Sequence, residues 1–176
     1  MESKKITLGL FYLYFLAVVW IILFKMQFSF QQFGVFRSIN LIPFAESVII
    51  NDRLNVSEMI GNVLIFLPYG VFVCMLGREG LCFHSPSGSR GSAFFMQLAP
   101  IFFTSLALEV LQYVFAAGAS DITDLITNTT GGAAGIGIYG IFLLLFKDKA
   151  DRILNAVLLA GAAGMVLFIG ILIMAN

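Results

Sequence analysis

Long apolar runs separated by short polar interruptions set the pattern of this chain. Five runs reach the roughly 20 residues that a bilayer core demands: Ile6–Phe24, Met59–Gly77, Ala93–Ala117, Ile122–Phe146 and Ile153–Ala175. Between the first two, from Lys25 to Glu58, the pattern changes. Phe28, Phe30, Phe33 and Phe36 are mixed with Gln31, Gln32 and Arg37, followed by Asn40-Leu41-Ile42-Pro43-Phe44, Glu46 and Val48 to Ile50. This stretch is too apolar for a solvated loop. It predicts a segment lying in the outer interface or re-entering the membrane, with a surface amphipathic helix as the alternative. Pro43 restricts Ile42 to extended geometry and predicts a turn.

Local signals refine the spans. Asn55, with Glu58 three residues on, reads as a helix start, and Asn62 shares the Glu58 face. Pro68 removes a backbone donor inside the second span, predicting a kink that either packs or opens a cavity. Gly131 and Gly135 form a G-x-x-x-G pair suited to close helix approach. The fifth run, with Gly161, Ala162, Ala163 and Gly164, reads as a packing helix.

Composition agrees with the pattern. Of 176 residues, 60% are hydrophobic and 11% charged, against roughly 25% charged in soluble domains. The expected fold is all-α: one domain over residues 1–176, a polytopic membrane helical bundle of about five transmembrane helices. Net charge is zero, so no nucleic-acid partner is expected; the expected partner is membrane lipid. With alternate connections on opposite sides, Lys4, Lys5, Arg78, Arg90, Lys147, Lys149 and Arg152 face Lys25, Arg37 and Arg53. The first group marks the cytoplasmic side, which puts the N-terminus in the cytoplasm and the C-terminus outside. The first run is too long for a signal-peptide core and has no small-residue cleavage site after it, so it reads as an uncleaved anchor. Cys74 and Cys82 then face a reducing compartment, where a disulfide is not expected. The lone His84 and the cysteine spacing give no metal motif.

Polar residues inside the apolar runs carry the candidate chemistry. An ionisable residue in a membrane span is a functional-site hypothesis by default. Glu109 falls roughly 12 Å below the outer end of the third span at 1.5 Å per residue, and Gln112 lies one turn further out. After Gly118, Asp121 or Ser120 caps the fourth helix, and Asp124 sits in its first turn, where negative charge suits the helix dipole. Asn128 follows Asp124 by four and extends one polar stripe. Asn62 enters from the second span. These residues, with Asn40 and Glu46, are expected to line a polar pocket open to the outside. A buried carboxyl must take up a proton or acquire a partner; Arg37 and Arg53 are the candidate charge partners. Each residue also has a bland reading, as a helix cap or as interhelical hydrogen bonding.

The same residues carry a resemblance. Asn40-Leu-Ile-Pro-Phe44, Asn62-Val-Leu-Ile-Phe66-Leu-Pro68-Tyr-Gly70, Glu109-Val-Leu-Gln112 and Asp121-Ile-Thr-Asp124-Leu-Ile-Thr-Asn128-Thr-Thr-Gly131-Gly132 resemble, in order, the blocks of the VanZ-like family, from about Asn40 to Tyr139. Many members have an arginine shortly before the first aspartate, whereas this chain reads Gly118-Ala119-Ser120 there. The resemblance implies a multi-pass protein of the bacterial plasma membrane. Its family is associated with low-level teicoplanin resistance, an antibiotic resistance of the cell envelope, without a settled reaction.

Three functions compete at this stage. The first is binding of an amphiphile at the outer leaflet: a lipid head group, a lipid-linked cell-wall precursor or a lipoglycopeptide. The second is an intramembrane enzyme on a lipid-linked substrate, with Glu109 and Asp121 or Asp124 as acid and base, or holding Mg²⁺ or Ca²⁺. The third is a small ion- or proton-coupled transporter. Without a nucleophile motif or a phosphate loop, an enzyme is the less favoured reading, and no cofactor is expected.

Overall fold

The computed structural model describes residues 2–24, 36–44, 49–50, 53–54, 56–78, 90–114 and 115–175. Among these residues, five helices follow the five apolar runs: α1 (Glu2–Phe24), α2 (Val56–Arg78), α3 (Arg90–Val114), α4 (Ile122–Phe146) and α5 (Ala150–Ala175). Two short two-stranded sheets are added. β1 (Phe36–Asn40) pairs in parallel with β4 (Ala117–Asp121), and β2 (Ile49–Ile50) pairs antiparallel with β3 (Arg53–Leu54). The described part of the first connection is therefore strand and turn, not a surface helix, and the turn falls at Pro43 and Phe44. Asn55 and Glu46 lie outside the described residues.

Among the described residues, four stretches are long and apolar enough to cross a membrane: Lys5–Leu23, Val56–Gly77, Gly91–Val114 and Ile122–Gly164. The last, 43 residues long, takes in α4, a 3-10 turn at Lys147–Lys149 and part of α5. It is not one rod. The Tyr139 hydroxyl donates to Asp151 Oδ1 at 2.9 Å, whereas a straight helix would set these residues about 18 Å apart. The chain folds back there, with Lys147 at φ 48°. α5 then starts beside the start of α1, where Thr7 and Asn155 exchange hydrogen bonds of 3.2 and 2.9 Å.

α2 is the central helix. Half of its span is buried in the bundle, against 22% for each of the other three stretches. Its parallel neighbour α4 approaches through glycine. A methyl group built on Gly131 would overlap the Val63 backbone, one on Gly135 the Leu67 carbonyl oxygen, and one on Gly70 the Gly132 carbonyl. The G-x-x-x-G pair thus works with a third glycine from the facing helix, bringing backbones together where dispersion contacts hold membrane helices. Beside it, Tyr69 stacks on Phe11 of α1, with centroids 5.8 Å apart, and meets Phe66 edge-on.

Helix α2 runs through Pro68, which leaves the Leu64 carbonyl without its helical donor. At the next carbonyl, that of Ile65, the Tyr14 hydroxyl donates a bond of 2.6 Å. Tyr14→Phe is expected to lower stability by about 0.6 kcal/mol, the average for interhelical bonds in membranes, and by no more than about 1.7, read as a fall in the thermal midpoint of the protein in nanodiscs.

Candidate functional site

The polar residues gather where α3 hands over to α4. Helix α3 stops at Val114, three residues before the end its hydropathy predicts. Phe115 and Ala116 turn the chain, with Ala116 buried at φ 48°, and Ala117–Asp121 runs extended as β4. Glu109 consequently lies about 8 Å from its helix end rather than 12. Its carboxylate accepts the Asp121 backbone N–H at 2.9 Å, with the Ser120 hydroxyl beside it. A side chain of α3 thereby fixes the backbone that begins α4.

Asp121 is the hub. At φ −126° and ψ 126° it is the N-cap of α4, and its Oδ1 accepts from Thr123 N at 2.8 Å. That bond satisfies one of the orphan donors of a helix start. Its other oxygen, Oδ2, accepts from Asn40 Nδ2 at 3.2 Å, and the parallel ladder sets the two residues opposite each other. Asn40 Oδ1 in turn accepts from Ile42 N at 3.1 Å, and Thr123 Oγ1 accepts from Phe44 N at 3.0 Å. The Asn40–Phe44 turn is thus tied to α4 by polar bonds, while Leu41 and Ile42 point outward at 72% and 68% exposure.

Asp124 and Asn128 continue the stripe. Asp124 Oδ1 accepts from Asn62 Nδ2 of α2 at 2.7 Å. One turn deeper, Asn128 Nδ2 donates to Ser105 Oγ of α3 at 3.0 Å, and its buried Oδ1 has no partner among the described residues. Glu109, Asp121 and Asn128 are 4%, 6% and 2% exposed, so this cluster is closely packed, with Asp124 and Asn62 only partly buried at its edge.

Not every predicted residue joins. Gln112 turns away: its Nε2 donates to the Ile22 carbonyl of α1 at 2.9 Å, among the carbonyls that a helix C-terminus leaves unsatisfied. Register sets Arg37 opposite Gly118 and Arg53 opposite Ile50; for both, the description covers the backbone alone. Ser105 and Thr123 are additions. Ser105 stands four residues before Glu109 and so on its face, a spacing the sequence displays; the Thr123 bond to Phe44 has no local signal. Among the described residues, no three of His, Cys, Asp and Glu are grouped to hold a metal ion. Hydrogen-bond acceptors dominate: carboxylates from α3 and α4, spanned by amides from β1 and α2.

Comparison with known proteins points the same way. The family model VanZ/LLP1 matches residues 11–147, a wider span than the motifs alone. Protein VanZ of Enterococcus faecium is 34% identical over 175 residues, covering 98% of this chain and 90% of that relative. No solved structure matches.

Proposed function

This chain belongs to the VanZ/LLP1 family, and from that premise we propose that it binds an outer-leaflet amphiphile, in the plasma membrane of a bacterium, through the acceptor cluster of Glu109, Asp121, Asp124 and Asn128. The amphiphile is a lipid head group, a lipid-linked wall precursor or a lipoglycopeptide, and binding it changes how the envelope meets such drugs. The observation that carries this reading is the convergence itself: side chains from three helices and both strands of the parallel pair meet where α2 and α4 start. Carboxylates in a span are costly, about 2.5–3.5 kcal/mol at the centre on the insertion scale, and a helix cap needs one of them, not three.

In this reading the chain crosses the membrane five times, with the N-terminus in the cytoplasm, as its Lys and Arg distribution favours. The cluster then faces outward, and the Asn40–Phe44 turn lies in the outer interface with Leu41 and Ile42 among the lipids. Arg37 and Arg53, on the same side, are the charge partners.

The test is drug susceptibility of cells carrying the wild type, Glu109→Gln or Asp124→Asn at equal expression. Each variant keeps an oxygen for its present donor, Asp121 N–H or Asn62 Nδ2, while the charge goes and the second oxygen becomes an NH₂ group. Reduced lipoglycopeptide susceptibility with the wild type, lost in both variants, is the expected outcome. Equal susceptibility in all three cultures would end the proposal.

A further inference from the structure

We infer that the cleft between α1, α2, α4 and α5 is a binding site for the hydrocarbon chain of a membrane lipid. Its volume is about 570 Å³, within the roughly 300–1,000 Å³ of sites that enclose one small ligand. Leu13, Tyr14, Pro68, Phe72, Leu158 and Gly161 are among its walls. Tyr14 is the one lining side chain with a polar atom among the described residues, and its hydroxyl is already bonded to the Ile65 carbonyl. Apart from the Leu64 carbonyl that Pro68 frees, a polar occupant would find nothing to replace its hydrogen bonds with water. The walls suit hydrocarbon.

Why the space is open follows from the small residues. Where α2 meets α4, the space beside Gly70, Gly131 and Gly135 is filled by the facing backbone. At Gly161 of α5 the opposite holds: an added methyl group would meet nothing within 4 Å. The small face of α5 leaves a gap beside α2 instead of closing on it, so the fifth helix does more than pack.

Position selects the occupant. The cleft runs from Leu10 to Ile21 on α1 and from Leu64 to Phe72 on α2, the middle of both spans. Along α1 that is about 17 Å, centred near the bilayer midplane and so wholly inside a hydrocarbon core of about 30 Å. The rim opens sideways: Leu13, Leu64 and Val157 line the cleft yet are 47%, 60% and 56% exposed. At that depth the surroundings are lipid chains. No residue of the cleft belongs to the carboxylate cluster, so either site can fail without the other.

The full chain would be reconstituted in phospholipid nanodiscs with a trace of phospholipid bearing a diazirine in mid-chain, irradiated, and its adducts mapped by mass spectrometry. Adducts are expected on cleft residues of α1, α2 and α5 at several times the level on the α3 face around Phe95 and Phe103, which are 69% and 63% exposed. Gly161→Leu with Ala162→Phe, or Ala17→Phe from the facing wall should either fail to fold, is expected to bring the cleft signal down to the α3 level at an unchanged thermal midpoint. Labelling spread evenly over the exposed faces, or unchanged in the filled variants, would overturn the site. Cleft residues left without lipid adducts in a protein that runs as a dimer would make a second copy the occupant and overturn it equally.

Discussion

Gly135→Ala is expected to unfold or grossly destabilise the bundle, with Gly70→Ala and Gly131→Ala close behind, while Gly137→Ala leaves it unchanged. At the first three positions a methyl group overlaps backbone atoms of the facing helix: the Leu67 carbonyl, the Gly132 carbonyl and Val63. Backbone cannot swing aside as a flexible side chain does. The helices must separate, and the loss spreads to every contact between α2 and α4. Overpacking a core costs typically 1–3 kcal/mol, occasionally more; a clash against backbone in the central pair belongs at or above the top of that range. Gly137 offers the control, because an added methyl there meets nothing within 4 Å. The single Trp, Trp20, gives an intrinsic fluorescence signal for unfolding in mixed micelles. Equal midpoints for Gly135→Ala and Gly137→Ala would show that α2 and α4 do not approach as described.

The second large effect is expected at Asp121. Its two carboxylate oxygens do different jobs, capping α4 through Thr123 N and holding Asn40 Nδ2. Asparagine has one oxygen. In Asp121→Asn that oxygen can keep the cap, but the new NH₂ then faces the NH₂ of Asn40. Asn40 cannot turn its amide over without losing the bond from Ile42 N to its Oδ1. A partly buried donor left unmade costs about 1–3 kcal/mol, so the 36–44 segment should loosen. Adding Asn40→Asp in the same chain reverses the polarity of the pair: the carboxylate introduced on β1 offers one oxygen to Ile42 N and the other to the amide introduced on β4. The double variant is therefore expected to recover most of what the single one loses, read as hydrogen-exchange protection of the 36–44 and 117–121 amides. A double variant no better protected than Asp121→Asn alone would rule the shared bond out.

How far the sequence reaches depends on whether the deciding contact is local. The borders of α4, Ile122–Phe146, are legible. A capping aspartate precedes the helix and a charged triplet, Lys147-Asp148-Lys149, follows it. The glycine contact with α2 is legible for the same reason, since spacing alone puts Gly131 and Gly135 on one face. The end of α3 is not. Phe115, Ala116 and Ala117 continue the apolar run, and the helix stops before them where β4 pairs with a strand 81 residues earlier. Hydropathy cannot register such a partner. Gln112 fails differently: spacing groups it with Glu109, but the unpaired carbonyls at the end of α1 claim its amide. The apolar spans and the acidic stripe can be read from the chain. Which neighbour each side chain takes cannot.

The parallel pairing of β1 with β4 also bears on biosynthesis. A ribosome delivers Phe36–Asn40 to the membrane well before Ala117–Asp121, with two whole spans made in between. Until the later strand arrives, the backbone edge of the earlier one must find water or a helper, because lipid offers none. Asn40 likewise waits for Asp121, and Asn62 for Asp124. The acceptor cluster is complete only after α4 has been inserted, so a nascent chain halted after α3 would hold every span made so far and still lack the cluster.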